Sequence, residues 1–150
     1  MSLTIDQLKA LTFGYLTGVD IKQFCAPSLL IAEYEKDTTS LQTGCTMAYE
    51  ELKASLSNRY NVDTELALTE RRNQLCVKIT SIMAVRNILG GAQNISDKMV
   101  LDFTWADKQL IAIRNGQIAL SLKLPESSEG EAAVNYSNAT LIKSNFQTLG

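Results

Sequence analysis

The sequence predicts a mainly α fold, a small antiparallel bundle of three long helices with a short N-terminal helix and an extended C-terminal arm able to pair as β. Three observations carry this reading: three consecutive stretches, 44–60, 66–89 and 96–115, each have one apolar face; short polar or glycine-rich breaks separate them; and after Gly116 the apolar period changes from helical to two.

In the first stretch Cys45, Ala48, Tyr49, Leu52, Leu56 and Tyr60 fall at offsets of 3, 4, 7, 11 and 15, a single stripe along a helix, while Glu50, Glu51, Lys53, Ser57 and Asn58 fall opposite. Asn61-Val62-Asp63-Thr64 reads as a polar turn, with Asp63 or Thr64 capping the next helix. The middle stretch repeats the pattern with Leu75, Ile79, Ile82, Met83 and Leu89 and stops at Gly90-Gly91. In the third, Met99, Phe103, Ala106, Leu110 and Ile113 recur in steps of four and three, with Ser96 or Asp97 as N-cap and Gly116 placed for a positive-φ cap. Three such helices with short connections can bury one another.

Upstream, residues 4–11 read as a short helix capped by Thr4, with Ile5, Leu8 and Leu11 on one face, broken by Gly14 and Gly18. Pro27 suits a first helical turn and can launch a helix through Leu30, Ile31 and Tyr34; residues 35–40 read as a connection. Downstream, Gln117 to Leu124 alternates polar and apolar, an extended run that leaves the bundle. Residues 1–124 thus form the helical domain. Residues 125–150 form a flexible acidic linker, Pro125 to Glu131, and an arm with a sparse apolar set, Val134, Tyr136, Leu141, Ile142, Phe146 and Leu149.

Composition narrows the function classes. With 45% apolar and 20% charged residues the chain can bury a core without metal or disulfide. Its net charge of −2 provides no overall field to gather nucleic acid or an anionic membrane, and no window reaches the ~20 apolar residues of a membrane span. Three dispersed cysteines, Cys25, Cys45 and Cys76, fit a reducing compartment, and without a signal peptide the N-x-S/T triplets at Asn94, Asn135 and Asn138 carry no weight.

The chain contains no histidine, so Ser-His and Cys-His catalysis and histidine metal sites are excluded, and neither a P-loop nor a G-x-G-x-x-G turn is present. No catalytic residue, metal ligand or cofactor site is assigned. The pairs Glu33 with Glu35 and Asp102 with Asp107 are not spaced to share a helix face and read as solvated, and Cys76 reads as a small buried hydrophobe. Arg71, Arg72, Lys78 and Arg86 make the middle stretch locally basic, but on two faces: ion-paired or solvated positions are one reading, phosphate contacts the other. Trp105 flanks the third stripe as either the edge of the core or an interface anchor.

Taken together, Ala48-Tyr49-x-x-Leu52-x-x-x-Leu56-x-x-Arg59-Tyr60, Arg72-x-x-Leu75-x-x-x-Ile79-x-x-Ile82 and Trp105-Ala106-x-x-x-Leu110-x-x-Ile113-x-x-Gly116-x-Ile118-x-Leu120 resemble the small head-tail connector (adaptor, or head-completion) proteins of tailed bacteriophages, of the Mu-like type, over residues 44–122. The resemblance implies a non-enzymatic virion protein, a homo-oligomeric and dodecameric ring subunit below the portal protein. Such a ring extends the channel, offers a platform to a tail-completion or stopper protein, and meets DNA only as cargo. The expected contact residues with neighbours or portal are Trp105, Ile118, Leu120, Leu122, Tyr136, Leu141, Ile142 and Phe146. The rivals are a small helical DNA-binding regulator reading DNA through the basic middle helix, and an enzyme working with carboxylates or lysines.

Overall fold

The computed structural model describes residues 2–66, 72–90 and 95–122. Within them the chain is mainly α, as the periodicity predicts, and contains seven helices: α1 Ile5–Ala10, α2 Gly18–Ile21, α3 Pro27–Lys36, α4 Ser40–Leu56, α5 Val62–Glu65, α6 Gln74–Leu89 and α7 Asp97–Arg114. No strand forms among these residues; a single antiparallel bridge joins Thr12 and Thr17 across the turn between α1 and α2.

Local signals set several boundaries where they were expected. Thr4 caps α1 reciprocally with Gln7, Pro27 occupies the first turn of α3, Ser96 accepts the Met99 N–H to start α7, and Gly116, at φ 78°, follows its end. Other boundaries differ from the sequence reading. α4 begins at Ser40 and ends at Leu56, so Tyr60 closes the stripe from a turn. The predicted stretch 66–89 does not begin as one helix: Asp63 and Thr64 lie inside the one-turn α5, and Asn73, whose side chain accepts the Cys76 N–H, caps α6. A Ser, Thr, Asn or Asp can cap wherever the chain turns, and tertiary packing chose Asn73. Gly18 opens α2 rather than only breaking α1.

The largest departure concerns α6. Residues on every side of it are buried, among them Cys76, Val77, Ile79, Thr80, Ser81, Ile82, Met83, Ala84, Val85 and Ile88, so it is the central helix and not one wall of a three-helix bundle. It packs most extensively on α4, then on α7, and also meets α2 and α3. Small residues make this possible. A Cβ on Gly44 of α4 would stand 2.5 Å from Ile88 Cγ1 and 3.3 Å from the Ala84 carbonyl, so the two helices cross at closer range than an alanine allows. The buried Thr80 hydroxyl donates back to the Cys76 carbonyl at 2.7 Å, whereas the buried Ser81 hydroxyl has no hydrogen-bond partner among the described residues. Because a buried unsatisfied hydroxyl is costly, Ser81→Ala should leave the fold intact and raise stability by up to about 1 kcal/mol in a denaturant titration.

After α7 the chain does not leave the bundle as an extended arm. Gly116 reverses it, the Gln117 and Ile118 N–H groups return to the Ala112 carbonyl, and the Leu120 N–H donates to the Tyr60 hydroxyl at 2.9 Å. The alternation read at 117–122 is present: Ile118, Leu120 and Leu122 are half-buried on the core, and Gln117, Ala119 and Ser121 are exposed. One apolar face in search of cover found the bundle itself, so no strand was needed. Residues 123–150 lie outside the described residues.

Candidate docking surfaces

The interior offers little chemistry. All three cysteines are free; Cys45 and Cys76 are buried, and burial pushes their thiols up to about 12, while Cys25, half-buried, is pushed up to about 11. They are poor nucleophiles at neutral pH. Among the described residues no group of three His, Cys, Asp or Glu side chains is placed to hold a metal ion, and no helix is long and apolar enough to cross a membrane.

The basic residues of the middle stretch do not form one face. Arg72 precedes α6 and is turned inward: Nη1 donates to Asp20 Oδ2 at 2.6 Å and to the Tyr15 carbonyl at 3.0 Å, and Nη2 donates to Asp20 Oδ1 at 3.3 Å. Asp20 is 7% exposed and its carboxylate also accepts the Thr17 N–H and hydroxyl. Burial alone would raise this carboxyl, but the Arg72 and Thr17 donors and the Arg72 charge outweigh it and hold Asp20 below its ordinary value. Arg86 pairs with both oxygens of Asp107 at 2.9 Å. Lys78 is exposed, has its ammonium 4.3 Å from the centre of the Trp105 ring, and makes no ion pair with any described residue. Arg71 lies outside the described residues.

Of the contact residues expected from the sequence, Trp105 is half-buried beside the core under Lys78, at the rim of α7. Ile118, Leu120 and Leu122 rest on the chain's own core, leaving part of each side chain exposed. Tyr136, Leu141, Ile142 and Phe146 lie outside the described residues.

Among the described residues six large apolar side chains face solvent instead: Ile5, Val19, Met47, Val100, Leu101 and Ile111, with Leu101 the most exposed at 69%. Leu101, Thr104, Lys108 and Ile111 follow one another at offsets of 3, 7 and 10, a second stripe on α7 opposite to the one that enters the core. Ile5 of α1 and Val19 of α2 are exposed on two helices that pack on each other. α7 packs on α4 and α6. Sequence reasoning missed both patches because it followed the buried stripe; the visible signal was apolar residues at the positions of α7 that a purely amphipathic helix reserves for polar ones.

Two adjoining clefts share the segment after α2, one of them at the start of α6 and the other at the start of α7. One, about 420 Å³, is lined by Asp20, Gln23, Phe24, Gln74, Val77 and Lys78; the other, about 360 Å³, shares Gln23 and Phe24 with it and continues past Leu29 to Lys98 and Met99. The Lys98 ammonium is held by Asp102 at 2.8 Å.

Comparison with protein-family models, with curated proteins and with solved structures finds no match to this chain.

Proposed function

We propose that this chain is a structural virion protein, a head-tail connector or adaptor of a tailed bacteriophage. Copies of it close a ring below the portal, extend the DNA channel and present a platform to a tail-completion or stopper protein. The observation that carries the reading is the presence of two sets of exposed apolar side chains, Val100, Leu101 and Ile111 on α7 and Ile5 with Val19 on α1 and α2, on elements that do not pack extensively against each other. A ring grows by heterologous contacts, each joining one patch of a subunit to a different patch of the next, and a chain with two such patches meets that requirement. The helical fold and the resemblance over residues 44–122 agree with it, and a net charge of −2 suits a wall past which DNA slides without being held.

An enzyme is not proposed, because the cysteines are muted by burial and the clefts hold no free pair of titratable groups. A DNA-reading role through the basic residues is the weaker alternative, since Arg72 and Arg86 are engaged by Asp20 and Asp107. Sequencing the DNA on either side of the gene tests the assignment. Portal, major capsid or large terminase genes upstream and tail genes downstream are the expected result; metabolic or regulatory neighbours would overturn it.

A further inference from the structure

The cleft at the start of α6 combines an apolar floor, Phe24 and Val77, with amide groups from Gln23 and Gln74 and the ammonium of Lys78. Its charges are nearly accounted for: Asp20 is neutralised by Arg72, and Lys98 in the adjoining cleft by Asp102. Lys78 alone remains without an ionic partner among the described residues, so the cleft carries one uncompensated positive charge. An occupant should therefore be acidic and bring at least one apolar side chain.

The path of the chain supplies such an occupant. The last described turn places Ser121 Oγ 3.3 Å from Asn73 Nδ2, and Asn73 is the residue immediately before Gln74 of the cleft. From Asn73 to Lys78 along the helix is about 7.5 Å. The described residues end at Leu122, next to Ser121, and the sequence continues as Lys123-Leu124-Pro125-Glu126-Ser127-Ser128-Glu129-Gly130-Glu131, with one apolar residue followed by three carboxylates. Nine residues can reach about 30 Å when extended, more than enough to run along both clefts.

We propose that residues 123–131 of the same chain dock in this groove, with Leu124 against Phe24 and Val77 and the glutamates facing Lys78. Tethering favours this over capture from another molecule, because a segment joined by a few residues to Ser121, which is bonded to the residue before Gln74 of the groove, is present at millimolar effective concentration. The inference is independent of ring formation and concerns the single chain.

Hydrogen exchange of the full-length chain tests it, together with carbodiimide cross-linking of an equal mixture of light and heavy-nitrogen chains. The expected results are slowed amide exchange over 123–131, a Lys78 link to Glu126, Glu129 or Glu131 found only between residues of the same isotope, and exchange about two- to fivefold faster in Lys78→Glu, the range of one exposed charge contact. Adding Glu129→Lys to Lys78→Glu should restore part of the protection, an effect that a mere loss of folding could not produce. Equal exchange in the wild type and Lys78→Glu with no Lys78 link would overturn the proposal, and mixed-isotope links would overturn it by assigning the groove to a second copy.

Discussion

Gly18→Ala is expected to destabilise this protein by about 3 kcal/mol or more, the upper part of the range for overpacking, although Gly18 sits in a short polar-looking segment. A Cβ there would stand 1.8 Å from the Leu8 carbonyl oxygen and 2.8 Å from its carbon, and both are backbone atoms that no rotamer change can move. The contact joins α1 to α2 where Leu8 is fully buried and the Gly18 N–H donates to the Leu11 carbonyl at 2.9 Å, so relief requires parting the two helices. Gly14 provides the control. Its φ of 87° makes Gly14→Ala cost about 1–2 kcal/mol through backbone strain, but nothing lies within 4 Å of the new methyl group. Chemical denaturation of both variants should rank Gly18→Ala clearly below Gly14→Ala; the reverse order would mean that α1 and α2 do not meet as described.

Arg72→Ala should be the most damaging change at a charged residue, about 3–5 kcal/mol at neutral pH, because it leaves Asp20 buried without its cation. The guanidinium clamps the Asp20 carboxylate and the Tyr15 carbonyl to the entrance of α6, joining the N-terminal segment to the central helix. The pH dependence follows from the direction of the Asp20 shift. Its folded pKa lies below its unfolded one, so the stabilisation is complete above the unfolded carboxylate value near ~4 and is lost as pH falls through that value toward the folded one. The gap in unfolding free energy between wild type and Arg72→Ala should therefore be widest at neutral pH and narrow below pH ~4. A gap that stays constant across this window would show that Arg72 acts through packing alone.

These two sites also show what could be read from the sequence. Thr4, Pro27, Ser96 and Gly116 were legible because a cap or a first-turn proline acts within a few residues of itself, and the stripes of α4 and α7 were legible because one face of each meets the core. The all-round burial of α6 was not, because cover on the far side comes from α2 and α3, whose positions no local pattern gives. The Asp20–Arg72 pair joins residues 52 positions apart, so the sequence offered Arg72 only as one of several cations on a basic stretch. Gly14 and Gly18 looked alike as helix breakers, and what separates them is the positive φ of Gly14 and the Leu8 backbone beside Gly18. The exposed patches on α7 and on α1 with α2 were visible as residue types, yet their meaning depended on knowing which face was already covered.

Negative-stain microscopy and sedimentation of the full-length chain, alone at rising concentration and mixed with any portal protein that sequencing finds encoded near the gene, test the central claim most directly. The connector reading predicts closed rings of a single diameter, formed alone or on the portal, and predicts that Leu101→Lys abolishes them while leaving the monomer folded, since Leu101 is 69% exposed and a lysine there keeps its charge in solvent. A chain that stays monomeric under every condition and does not bind the portal, or rings indifferent to charge on the α7 face and the Ile5–Val19 patch alike, would contradict it.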